Sequence, residues 1–121
     1  MRTLFVLLAI QSSPIASEVD NALDVCADAI DAATSDAAEI PSAREACRVA
    51  CLAVFDAIQP IVADPAPYQS RVLGAWRTFD AAISLRGRSG MAWDGQVVIS
   101  AASDLTRVRY EVAQQVAVEA P

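Results

Sequence analysis

A chain of 121 residues that is 55% hydrophobic and 6% aromatic suits one packed domain. Its wealth of alanine and only four glycines favour helices over sheets, because alanine gives up no side-chain entropy in a helix. The formal charge of −6, with nine arginines, no lysine and no histidine, argues against a nucleic-acid partner, whose phosphates call for a clustered basic surface, and removes the commonest general base and metal ligand.

The chain opens with MRTLFVLLAIQSSPIASE. One arginine, an apolar run from Leu4 to Ile10 and a polar stretch with small residues have the layout of a short secretory signal peptide. The run is too short for a transmembrane helix, which needs about 20 apolar residues. Residues 1–17 therefore read either as a signal peptide or as an apolar first segment of an intracellular protein, and residues 18–121 as a single helical domain.

Ser17 can cap a first helix whose Val19, Leu23, Cys26, Ile30, Ala33 and Ala37 recur at helical spacing, with Asp20, Asp24, Asp28 and Asp31 on the opposite side. Pro41 follows, and the run SARE, Ser42 to Glu45, fits a capping box that starts a second helix. Its apolar face is Ala43, Cys47, Ala50, Val54 and Ile58, and Pro60 with DPAP marks its end. A third helix carries Tyr68, Val72, Ala75, Trp76, Phe79, Ala82 and Ile83 on one side. RGRSG, Arg86 to Gly90, reads as a loop by its glycines. Asp94 can cap a fourth helix that turns Val98, Ala102, Leu105, Val112 and Val116 inward, although QVVIS by itself also suits a short strand. Four helices with short connections predict an all-α, antiparallel up-down four-helix bundle behind a short apolar N-terminal segment.

The acids are unevenly placed: Glu18 to Glu39 holds seven and no base, while seven of the nine arginines lie from Arg48 onward. The row Asp20, Asp24, Asp28 and Asp31 reads as a solvated helix face able to steer a basic partner, because side chains along one straight helix diverge rather than converge on a cation. Arg109 falls on the apolar face of the fourth helix and must find a partner or lay its stem over apolar surface. Asp80 is the candidate partner; a buried pair there would make loss of Asp80 cost about 3 kcal/mol or more. Arg86, Arg88 and Trp93 form a cationic and aromatic patch that suits either partner binding or closure of the bundle's end.

Three cysteines remain. Cys47 and Cys51 with one distant Cys26, and no histidine, are too few for a closed tetrahedral metal site, and no CxxC redox motif is present. Counting from a turn at residues 40–42, a rise of about 1.5 Å per residue offsets Cys47 from Cys26 by about 12 Å in depth, and Cys51 by about 6 Å. The expectation is a Cys26–Cys51 bridge with Cys47 as small apolar core.

Two runs, AWRTFDAA (Ala75–Ala82) and DLTRVRYEV (Asp104–Val112), resemble the exported LprI-type helical domain, known for lysozyme inhibition. Trp76, Phe79, Asp80 and Ala81 match its tryptophan run, and Leu105, Thr106 and Arg109 its later Leu-Thr-x-x-Arg run. The Arg before the Asp and the Cys expected soon after are missing. The resemblance covers about a third of the chain and implies a secreted or periplasmic inhibitor of a cell-wall hydrolase. The sequence as a whole thus predicts a non-catalytic, acidic binding protein without cofactor, acting on a protein partner; the alternative is an intracellular structural or assembly subunit.

Overall fold

Alternation of amphipathic stretches with proline and aspartate breaks gives four helices in the computed structural model, which describes residues 14–89 and 95–119. They are α1 (Pro14–Ser35), α2 (Ile40–Ile58), α3 (Ala66–Ser89) and α4 (Gly95–Glu119), with a 3-10 turn, Ala37–Glu39, between α1 and α2. Among the described residues there is no strand, and QVVIS lies within α4. Of the expected N-terminal segment 1–17, residues 1–13 lie outside the described residues, while 14–17 belong to α1.

The helix starts differ from the sequence expectation in two places. Among the described residues α1 is already helical at Pro14, so Ser17 sits inside the helix rather than capping it, and Ile15 joins the core. α2 begins at Ile40 with Pro41 in its first turn, so the capping box at Ser42 does not form. The chain reverses earlier because Asp36 leaves the helix in an extended conformation (φ −150°) and its carboxylate accepts the Ala38 amide at 3.0 Å. Asp64 does similar work ahead of α3, accepting the Ala66 amide at 3.2 Å. α3 then runs on through Arg86, Gly87 and Arg88, so the first four residues of the expected RGRSG loop are helical. Trp93 and Asp94 lie outside the described residues.

The helices pack as an antiparallel up-down bundle in chain order. α1 and α2 share the most extensive seam; α1 also leans across α3 more than against α4, while α2 and α4 barely meet. The bundle is therefore sheared, with α1 and α3 as its short diagonal. Ile58, Ile83, Leu105, Val19, Val54, Val72, Val108 and Val112 are its largest wholly buried side chains, and no polar or charged residue is buried among the described ones. On α4 the buried stripe is Ala101, Leu105, Val108 and Val112, whereas Val116 is exposed and Ala102 half-buried. With α2 out of reach, a narrow stripe suffices for α4, and it is rotated from the face expected through Ala102 and Val116.

Gly74 sits mid-helix in α3, and a Cβ added there would meet nothing within 4 Å. Gly74→Ala should therefore stabilise the protein by about 0.5–1 kcal/mol through the lost backbone freedom of the unfolded chain, seen as a higher urea midpoint at unchanged slope.

Candidate functional site

The α1–α2 seam brings all three cysteines together. Cys26 and Cys47 form a disulfide across the seam, Cα to Cα 4.7 Å, and Cys51 is the free thiol, one turn further along α2 with its Sγ 3.8 Å from that of Cys26. All three are wholly or almost wholly buried, and their sulfurs lie within 4.8 Å of one another. The expected Cys26–Cys51 bridge is thus replaced by Cys26–Cys47. The earlier reversal at Asp36 brings Cys47 as near in depth as Cys51. Cys26 lies nine residues before the end of α1, while Cys47 and Cys51 lie seven and eleven residues past the start of α2, so Cys26 faces the turn between them. The same shift corrects the view of Cys26 as too distant to share a site with the other two. Closing a loop of this length restricts the unfolded chain by about 3 kcal/mol.

Cys51 also forms part of the wall of an apolar pocket of about 200 Å³ between α2 and α3, with Leu52, Val72, Leu73, Trp76 and Arg48. A neighbouring, more open hollow of about 260 Å³ shares Arg48 and Trp76 and adds Arg44, Glu45 and Asp80. Arg44 donates from Nε to Asp80 at 2.8 Å and from a terminal nitrogen at 3.1 Å; this forked bond raises the Arg44 pKa further. Arg48 holds Glu45, one turn before it, in the same forked way, which lowers the Glu45 pKa. The indole N–H of Trp76, a residue that lines both hollows, is buried without an acceptor, whereas such a group ordinarily has a partner.

The residues singled out from sequence distribute as follows. Asp80 pairs with Arg44 rather than Arg109, and the pair is at the surface, with side chains 51% and 20% exposed. Arg109 reaches back to Asp20 on α1 at 3.4 Å, also at the surface. Arg109 is half-buried and its guanidinium meets Asp20 at the surface, so the two form no buried ion pair. Arg44 carries no signal in the sequence because it lies on the exposed flank of α2, outside the apolar pattern. Asp20, Asp24, Asp28 and Asp31 are all exposed along α1. The backbones of Arg86 and Arg88 close α3, and Trp93 is outside the described residues. No described helix is long and apolar enough to cross a membrane.

No family model, curated protein or solved structure matches this chain.

Two outcomes follow from the pairings and burial. Asp80→Ala should lower stability by only about 0–1 kcal/mol, since exposed ion pairs contribute little; a double-mutant cycle with Arg44→Ala in urea melts reads the coupling. Burial lifts the Cys51 thiol from 9.0 to about 11. Between those values the unfolded chain gives up the proton while the folded one keeps it, so this contribution is intact below pH 9 and is lost as pH rises toward 11. Against a Cys51→Ala variant, the wild type should lose about 2–3 kcal/mol more between pH 8.5 and 11, measured by urea denaturation of the oxidised proteins.

Proposed function

We propose that the protein is an exported, non-catalytic binding module that docks a basic protein partner through the acidic face of α1. The observation that carries the compartment is the Cys26–Cys47 disulfide in the main helix seam, because disulfides form and persist in oxidising compartments. The binding half rests on charge. Asp24, Asp28 and Asp31 stand exposed in a row, and within that stripe it is Asp20 that meets a guanidinium. Such a surface steers a cationic partner and raises its association rate.

A cell-wall hydrolase such as lysozyme is the partner to try first. Lysozymes are often basic, and the resemblance to the LprI-type domain runs through Trp76 and Asp80, which line the α2–α3 groove. A second reading, an assembly subunit, is favoured by α4, where Ile99 and Tyr110 are 58% and 65% exposed beside a shallow depression that also includes Thr106 and Arg107.

Purified protein is expected to inhibit a basic lysozyme at about micromolar concentration. The variant Asp24→Asn/Asp28→Asn/Asp31→Asn should weaken this several-fold and flatten its salt dependence. Intact mass of the protein from its native cell should show the disulfide and a chain shortened at its N-terminus ahead of α1. An unprocessed, reduced chain that sediments as an oligomer would instead establish the assembly reading.

A further inference from the structure

We propose that, once the Cys26–Cys47 disulfide is reduced, Cys26, Cys47 and Cys51 form a three-sulfur site for one trivalent thiophilic element of the arsenite or antimonite class. This does not rest on the export reading. In an oxidising compartment the site is closed by the disulfide, and in a reducing one it is open.

Geometry supplies the first half of the reasoning. Three sulfurs within 4.8 Å of one another converge from two helices, two of them one turn apart on α2 and the third opposite on α1. Side chains on one helix face diverge; here the facing helix closes the triangle. Thiolate sulfur is the soft ligand that selects soft acceptors.

Coordination number and charge select the element. No polar or charged side chain is buried among the described residues, so nothing in the core offers a fourth ligand, and a tetrahedral ion such as Zn²⁺ is left one donor short. Three thiolates around a divalent ion would carry one net negative charge, and around a monovalent ion two, in a core with nothing to balance them. An isolated buried charge is expensive. Around a trivalent centre the complex is neutral.

The chemistry balances without leaving charge behind. A reductant breaks the S–S bond and leaves two thiols: two equivalents of a small thiol are oxidised to their own disulfide, or one phosphine is oxidised to its oxide, a water supplying the oxygen and the two thiol protons. Arsenous acid, As(OH)₃, then condenses with three Cys–SH: three As–O bonds break, three As–S bonds form, and three waters leave with the thiol protons. Because thiols and acid enter neutral, a raised thiol pKa at Cys51 is no obstacle. The route in is the apolar pocket of about 200 Å³ that has Cys51 in its wall, which favours an uncharged acid over a hydrated cation.

The test uses the full chain, reduced with a phosphine, freed of small thiols and titrated with sodium arsenite. Native mass spectrometry should show one arsenic per chain with loss of three hydrogens, and the melting temperature of the reduced protein should rise, as it does for any ligand that prefers the folded state. Cys51→Ala and Cys51→Ser should each weaken arsenite binding by at least the roughly 10–100-fold that even an outer-shell partner is worth to a metal site. If the reduced chain is unfolded, arsenite should restore its helical circular dichroism. An adduct that loses only two hydrogens, equal affinity in the Cys51 variants, or neither a rise in melting temperature nor a return of helix would overturn the proposal.

Discussion

Closure of the α1–α2 seam constrains everything that follows it. Ala22, Ala29 and Ala33 on one helix and Ala43 and Ala50 on the other are buried there, and small side chains let the two backbones approach closely enough for Cys26 and Cys47 to join. A pair of helices fixed in register at that point presents a continuous apolar trough, and α3 lies in it, bringing Val72, Ala75, Phe79, Ala82 and Ile83. α4 comes last and touches the pair mainly through α3. The bundle is thus better described as a stapled hairpin with two helices laid along it than as four equivalent rods.

Charge plays a different part. Arg44–Asp80 spans α2 and α3, Arg71–Glu111 spans α3 and α4, and Arg109–Asp20 spans α4 and α1. Each lies at the surface, where a pair contributes little to stability. Their value is positional: each is satisfied only when the two helices it joins run antiparallel at the right depth. The acidic first helix and the arginine-bearing later ones are complementary as the charge distribution suggests, but through Asp20 at the start of the stripe, which leaves the rest of the stripe to solvent.

Helix number, order and much of the buried faces were legible in the sequence because they rest on a period of 3.6 residues that tertiary packing seldom overrides. Val19, Cys26, Val54, Val72, Phe79 and Leu105 needed nothing but spacing. What escaped was set at the ends. Ser42 carries the residue pattern of a capping box, yet Asp36 caps first, and a displacement of a few residues at the reversal was enough to bring a second cysteine within reach of Cys26. The groove lined by Arg44 and Trp76 escaped for another reason. It belongs to the flanks of two helices, and flanks meet only when the crossing geometry is known; no periodicity within a single segment reports it.

The cysteine arrangement bears on how the chain reaches its fold. Cys47 and Cys51 are one helical turn apart, and Cys26 faces the interval between them. A hairpin that closed one turn out of place would still find a sulfur opposite Cys26, so oxidation alone cannot distinguish the native alignment from its neighbour. Selection must come from how the buried alanines and the wholly buried Val19 and Val54 pack, not from the sulfurs. The covalent bond then records an alignment that packing has already chosen.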